Sequence, residues 1–275
     1  MHSGPDAFGR ALDDDETASV AVRAQMGGVV FKNHIAETAS RAVLARKRSG
    51  NVEIYGGIVL NRAVGGLNED AVRWMARIEG GRGRVVWLPT IDAGNHLRFL
   101  GGGREGLEVV REGSPTDEVV RVFRACAENR LVLHTGHTAA DDCLVLAELA
   151  RERDVRLCVT HGMFPIVGFD VPRMRQVAEL GAKIELCAIG MFMGEHAQHE
   201  WMRAWGKVSA EACARAVREI GAEHFVLSTD LGQFGNPTPP DGYRGFVDAL
   251  LGTGISLEEI DLMARRTPLA LLTRS

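Results

Sequence analysis

Three apolar, strand-like segments of this 275-residue chain each end at a side chain that can bind a metal ion. The residues that directly follow these segments are His134, His161 and Asp230. A Thr-Gly pair follows His134, and a glycine follows His161. In a parallel sheet built from alternating strands and helices, the carboxyl ends of the strands lie on one rim. In a barrel of this kind, that rim is where active sites are built. The pattern therefore predicts that two imidazoles and one carboxylate converge.

Strand-like runs alternate with helical patterns along almost the whole chain. The runs are rich in Val, Ile and Leu without polar alternation, as expected for strands that are buried on both faces. The seven predicted strands cover residues 28–31, 52–60, 84–88, 131–133, 156–160, 182–188 and 225–229. A helix over residues 14–26 precedes them, and only residues 2–6 remain for an eighth strand. We therefore predict one domain over residues 1–275, a (β/α)8 TIM barrel with a truncated first strand.

The composition is typical of a globular protein and gives no indication of binding to nucleic acids or membranes. The net charge is -4, and no apolar run approaches the roughly 20 residues that a membrane span needs. The five cysteines form no C-x-x-C pair, which favours buried, reduced thiols in a cytoplasmic protein. We expect a small-molecule substrate, no nucleic-acid partner and no membrane association.

Two connections are longer than usual and are expected above the barrel mouth. They cover residues 95–113, which include three consecutive glycines, and residues 190–207, which are rich in Met and Trp. Each is a candidate lid or substrate wall. For the second loop a contact between subunits is an equal alternative, and we expect a homo-oligomer.

These residues together resemble the amidohydrolase superfamily of metal-dependent hydrolases, and most closely an uncharacterised amidohydrolase-like branch of it. In that superfamily His-x-His ends strand one, His ends strands five and six, and Asp ends strand eight. His134, His161 and Asp230 match the last three positions, and His2 matches the second histidine of the pair. Residues 266–272 resemble the Asn-Pro-Ala-x-Leu ending of the group.

The chain departs from the family pattern at two positions. The first histidine of the pair would precede Met1, and we expect the true start of the protein to lie upstream. The family also carries a bridging Lys or Glu, often on strand four, but residues 85–90 contain neither. Lys32 stands instead at the end of the predicted strand 28–31.

The resemblance implies a metal site and a proton acceptor. His2, His134, His161 and Asp230 would bind a divalent ion, most simply Zn2+, with Mn and Fe as alternatives. Asp230 would also act as general base toward the attacking water, and His161 or His34 would stabilise the oxyanion.

Further residues are assigned to catalysis or substrate binding. Lys32 is a carboxylated bridging ligand, an electrostatic contact to substrate or a partner of Asp6, and His34 follows it on the same edge. His137 ligates metal, orients substrate or caps a helix. Arg62 is a candidate for binding a substrate carboxylate, and Asp6 for lining the mouth beside His2.

Several other polar residues give weaker signals. Asp92 and Glu185 have no motif that supports a role, and His96 is expected at the surface. His196 and His199 lie three residues apart but lack an obvious third ligand.

The resulting hypothesis is a metal-dependent hydrolase of a small-molecule amide, cyclic amide, lactone or other ester. One alternative is a metal-dependent decarboxylase or other lyase on the same fold, which a carboxylate clamp formed by Arg62 and Lys32 would favour. Another is a non-catalytic barrel that acts in binding or assembly.

Overall fold

The structure, a computed structural model, describes residues 1–273 and contains a curled sheet of seven parallel strands. In spatial order these strands are β1 Gly28–Val30, β2 Glu53–Val59, β3 Gly83–Trp87, β6 Val132–His134, β7 Arg156–Val159, β8 Lys183–Cys187 and β9 Phe225–Ser228. All seven correspond to predicted strands, and each pairs in parallel with the next. The two remaining strands, β4 Val110–Arg111 and β5 Ser114–Pro115, form a separate antiparallel hairpin.

The N-terminal residues contact both edges of this sheet. His2 forms an isolated parallel bridge with Lys32, just beyond β1, and its backbone N–H donates to the Leu231 carbonyl, just beyond β9. A Cβ on Gly232, which has φ +133°, would lie 1.9 Å from the His2 carbonyl oxygen. Only glycine therefore permits this close approach. The described sheet is thus barrel-like, with seven strands and a bridging segment where the sequence predicted a truncated first strand.

Twelve α-helices accompany the strands in the described residues, and most begin at a side-chain cap. Asn68, Thr116, Asp170 and Ser209 each accept a hydrogen bond from a backbone N–H in the first helical turn. The helices are α1 Asp14–Arg23, α2 Ala39–Arg46, α3 Glu69–Arg77, α4 Gly94–Phe99, α5 Asp117–Glu128, α6 Ala140–Glu152, α7 Val171–Glu179, α8 Glu200–Ala204, α9 Ala210–Ile220, α10 Pro239–Gly252, α11 Leu257–Asp261 and α12 Thr267–Leu272. None of the helices over residues 1–273 combines the length and the apolar character that a bilayer span requires.

The main hydrophobic core lies between the strands and the surrounding helices. Val86, Leu133, Leu157 and Ile184 come from four successive strands of the sheet and are almost fully buried. Burial of one such side chain stabilises the fold by about 1.5–3 kcal/mol. This packing fixes the strands, and therefore fixes where each strand ends.

The two long connections contain more regular structure than the sequence predicted. The first contains α4 and the β4–β5 hairpin, and the second contains α8 and a 3-10 turn over Ala188–Phe192. All of these elements are short, so their patterns span too few residues to reveal a helical or strand period.

Candidate active site

The Asp230 carboxylate is the centre of one group of predicted site residues. Its Oδ1 lies 3.1 Å from His2 Nε2 and 3.3 Å from Lys32 Nζ, while its Oδ2 lies 3.6 Å from His161 Nε2. His2, Lys32 and His161 are each less than 5% exposed. The residues just beyond β1, β7 and β9 therefore meet the N-terminal segment at one place, and His161 and Asp230 lie close together as the sequence predicted.

The second ring nitrogen of His161 faces a different pair of side chains. His161 Nδ1 lies 3.2 Å from Cys187 Sγ and 4.0 Å from Glu185 Oε2. Glu185 and Cys187 are two residues apart on β8, so both point to the same face of the sheet. Ser228 donates its hydroxyl to Cys187 Sγ at 3.2 Å. His161 therefore lies between the carboxylates of Asp230 and Glu185, which have different surroundings.

The backbone at both His161 and Asp230 is left-handed, with φ of +56° and +49°. Residues other than glycine seldom adopt this conformation, which costs on the order of 1 kcal/mol or more. Each residue ends its strand and turns its side chain across the rim toward the other. Such strain is commonly found at functional sites, and here it occurs at two residues that contact each other.

His34 lies beside His2 and His137 beside His161, and both are held by other polar groups. His34 Nδ1 is 2.9 Å from the hydroxyl of Thr90, and its ring centroid is 4.8 Å from that of His2. His137 Nδ1 is 2.8 Å from His96 Nδ1, and its ring lies 5.4 Å from that of His161. The prediction that His96 lies at the surface was wrong: it is 7% exposed, because α4 packs it against His137.

Trp205 covers the rings of His137 and His161. Its ring centroid lies 5.1 Å from that of His137 and 6.1 Å from that of His161, and it also contacts Phe164. The Trp205 side chain is buried, and its indole N–H has no hydrogen-bond partner. The Met- and Trp-rich connection thus contributes a wall of the site.

His134 lies at the end of β6 and does not contact Asp230. Its ring centroid is 5.5 Å from that of Trp87, and its buried Nδ1 has no hydrogen-bond partner. Burial lowers the pKa of His134 to about 4, and the Glu185 carboxylate opposes that shift. His134 is therefore a neutral imidazole with a free ring nitrogen, electrostatically coupled to Glu185.

Two of the predicted substrate-binding residues have partners of their own. The Asp6 carboxylate is buried in an ion pair with Arg10 at 2.7 Å. The Arg62 guanidinium donates to the Glu105 carbonyl at 3.0 Å on the protein surface. Lys32 bonds to Asp230 rather than to Asp6. Asp6 and Arg62 therefore lie outside the cluster around Asp230.

The protonation states of the cluster suit the binding of a cation. Burial alone would raise the pKa of Asp230, but Lys32, His161 and His2 outweigh it and hold this pKa well below its usual range. Glu185 behaves in the same way, because His134, His161 and Lys32 outweigh its burial. Burial lowers the pKa of His2 to about 3 and also lowers that of His161. The cluster therefore offers two ionised carboxylates beside imidazoles that burial keeps neutral.

Metal ligation therefore fits the donors that are present. Neutral imidazole nitrogens and ionised carboxylates are the ligand forms that a divalent ion requires. Unpartnered ring nitrogens remain on His2 and His134, both at buried atoms. Among residues 1–273, His161, Glu185 and Cys187 form a group whose donor atoms all lie within 4.8 Å of one another.

Glu185, Cys187 and Trp205 were undervalued or missed in the sequence. A glutamate inside the apolar segment 182–188 was a signal, since an isolated buried carboxylate is costly without a partner. Its spacing of two from Cys187 places both on one face of a strand. The role of Trp205 could not be read from the sequence, because the position of its loop depends on tertiary packing.

Two surface grooves of about 500 and 490 Å³ open at the opposite end of the sheet. They are lined by residues near the amino ends of β7 and β8 and by the C-terminal helices, including Lys183, Glu223 and Arg266. On barrels of this kind active sites are built at the carboxyl ends of the strands, so the candidate site is the His161–Asp230 rim rather than these grooves.

Solved structures with a similar fold come from hydrolases. An organophosphorus hydrolase from Deinococcus radiodurans superposes with a TM-score of 0.62 at 17% identity, covering 96% of this chain and 86% of that chain. A triple mutant of that hydrolase gives a TM-score of 0.65 at 16% identity, with the same coverage of both chains. A mutant PTE-like lactonase from D. radiodurans gives 0.62 at 17% identity, covering 94% and 85%. At this identity the likeness establishes a shared fold.

The family comparison rests on sequence. No curated protein matches this chain. The model of a family of unknown function, DUF6282, matches residues 1–185. The matched stretch includes Lys32, His134, His161 and Glu185, whereas Asp230 lies beyond it. Because the match covers about two thirds of the sequence, this chain belongs to the DUF6282 family.

Proposed function

We propose that this protein is a metal-dependent hydrolase of a small-molecule lactone or other ester, built on the amidohydrolase plan. The observation that carries the proposal is the contact between His161 and Asp230, which come from two strand ends and share a left-handed backbone. Amides and cyclic amides remain further substrate candidates. The fold shared with an organophosphorus hydrolase and a PTE-like lactonase supports esters as the first substrates to test.

The steps of the proposed hydrolysis can be assigned to individual residues of the site. When bound, a divalent ion such as Zn2+ would supply Lewis-acid chemistry, lowering the pKa of a water and polarising the substrate carbonyl. Asp230 Oδ2 would accept a proton from the attacking water and return it to the leaving group. Lys32 and His2 hold the other carboxylate oxygen, which fixes the direction of Oδ2.

The neighbouring side chains define where the substrate would lie. Lys32 is a cation at the rim and would attract the oxygen that gains negative charge. His34, held by Thr90, borders the same side. Trp205 and Phe164 would exclude water from the opposite side, which strengthens each electrostatic contact inside.

The decarboxylase alternative has less support from the geometry. Its carboxylate clamp required Arg62 and Lys32 to act together, but the Arg62 guanidinium donates to the Glu105 carbonyl at the surface, outside the cluster that contains Lys32. The non-catalytic barrel is an outcome of the experiment that follows.

The test combines metal content with activity. The purified chain of residues 1–275 is analysed by elemental mass spectrometry, reconstituted with Zn2+, Mn2+ or Fe2+, and assayed on a panel of lactones and aryl esters. We expect near-stoichiometric metal and hydrolysis that Asp230→Asn reduces by about 100-fold or more. Asp248→Asn, which changes an exposed carboxylate on α10, is the matched control and should leave activity unchanged. Metal-free, inactive protein under all conditions would favour the non-catalytic barrel.

A further inference from the structure

The two ring nitrogens of His161 face two different candidate positions for a cation. Nε2 points to Asp230, whereas Nδ1 points to Cys187 and Glu185. A histidine that ligates a single metal ion uses one ring nitrogen, and its other ring nitrogen usually donates a hydrogen bond. The structure therefore poses a choice between the two sides.

The distances on the Nδ1 side match a tetrahedral ligand set. Ligand atoms bonded at about 2.0–2.3 Å to a tetrahedral zinc ion lie roughly 3.5 Å from one another. The measured separations from His161 Nδ1, 3.2 Å to Cys187 Sγ and 4.0 Å to Glu185 Oε2, bracket that value. The three donor atoms lie within 4.8 Å of one another before any ion is added.

The surroundings of Cys187 suit a ligand more than a packing residue. Its side chain is buried at the carboxyl end of β8, beside one imidazole and near one carboxylate. Ser228 donates a hydrogen bond to the sulfur. The other four cysteines are also buried and unbridged, but none of them belongs to a His/Cys/Asp/Glu donor group in the described residues.

His134, at the end of β6, has a buried, unpartnered Nδ1 but lies outside the donor group formed by His161, Glu185 and Cys187. A zinc ion held by three protein ligands keeps its fourth position for water or substrate. The three donors therefore describe an open site.

We propose that His161 Nδ1, Glu185 and Cys187 form a mixed imidazole, carboxylate and thiolate site that selects Zn2+ over Mg2+ or Mn2+. The inference deepens the proposed function and rests on it only for the reaction, not for the binding of the ion. Binding releases the thiol proton of Cys187 to solvent, because the thiolate is the ligand form. Soft thiolate ligands favour zinc, while magnesium and manganese prefer oxygen donors. Asp230 then remains free of the ion and available as proton acceptor.

The main experiment is a Co2+ titration of the metal-free chain of residues 1–275. Co2+ bound to a thiolate gives an intense near-ultraviolet charge-transfer band. We expect this band to saturate at one equivalent and to disappear in Cys187→Ser, while Cys213→Ser, which changes a buried cysteine on α9, retains it. Glu185→Gln should weaken zinc binding by more than the roughly 10–100-fold that loss of an outer-sphere partner costs.

A second measurement needs no variant and guards against misfolding of Cys187→Ser. X-ray absorption of the zinc-loaded wild-type chain should show one sulfur neighbour at about 2.3 Å. Stoichiometric metal with neither sulfur neighbour nor charge-transfer band, and lost in Asp230→Asn, would place the ion on the Nε2 side. That result would overturn this inference and leave the proposed function intact. Absence of metal binding altogether would overturn both.

Discussion

The rim of the sheet has two sides that use histidine in opposite ways. On the Asp230 side, formed by His2, Lys32, His34 and Asp230, imidazoles accompany a charged pair. On the Trp205 side, formed by His96, His137, Phe164 and Trp205, the two imidazoles stack on each other, and the Trp205 ring meets His137 and Phe164 edge to face. Burial keeps the histidines of both sides neutral. Under the proposed function, we expect the Asp230 side to transfer protons and the Trp205 side to shape the site and exclude water from it.

The largest effect should come from breaking the charged pair. Lys32→Met leaves the Asp230 carboxylate buried without its ammonium partner, which we expect to cost about 3–5 kcal/mol of unfolding free energy. The double variant Lys32→Met/Asp230→Asn removes both charges and should recover most of that loss. Denaturant unfolding of the metal-free wild type and of each variant measures the coupling. Additive losses would show that the two residues are not paired in solution.

A comparable loss on the Trp205 side should have another cause. Trp205→Ala removes a buried indole that packs on His137, His161 and Phe164, and we expect a destabilisation of about 3–5 kcal/mol. Trp74→Ala is the matched control, because Trp74 on α3 is 68% exposed. Thermal and denaturant unfolding of both variants tests this contrast. Equal losses in both would contradict the assignment of Trp205 as the wall.

A smaller effect should appear in the pH dependence of stability. Burial lowers the pKa of His96 to about 4, whereas an unfolded histidine titrates near 6.5. The unfolded chain thus binds the proton first, so stability falls as pH drops from about 6.5 to about 4. In His96→Gln this part of the fall, on the order of 2 kcal/mol after allowance for solvent screening, should vanish. His196→Gln, which changes an exposed histidine, is the matched control.

The smallest effect concerns the hydrogen bonds behind His34. The Thr90 hydroxyl bonds to both His34 and Asn61, and Thr90→Val leaves these partners unsatisfied. We expect a loss of about 1–3 kcal/mol. Thr90→Ser keeps the hydroxyl and should cost less. If both variants have the same free energy of unfolding, the Thr90 hydroxyl does not contribute to stability. The polar contacts of the Asp230 side would then matter less for stability than their distances indicate.

The sequence predicted strands better than it predicted the partners of each side chain. Buried parallel strands are continuous apolar runs, so all seven were found within about two residues, and with them the rim that holds His161 and Asp230. Partners depend on register and on loop packing, which a local pattern does not encode. For this reason Glu185 and Cys187 were undervalued or missed, His96 was placed at the surface, and Asp6 was assigned to the mouth although it pairs with Arg10.

The bonds that hold Asp230 also determine when the site can form. The contacts from Asp230 to His2 and Lys32 join residues 228 and 198 positions apart in the chain. Loops of this length must close before those contacts can stabilise anything, so they form late in folding. The core of the sheet can therefore be complete while the rim is still open. Protection of backbone amides at residues 1–4 and 230–233 should be among the last acquired during refolding, and ester hydrolysis should return with them.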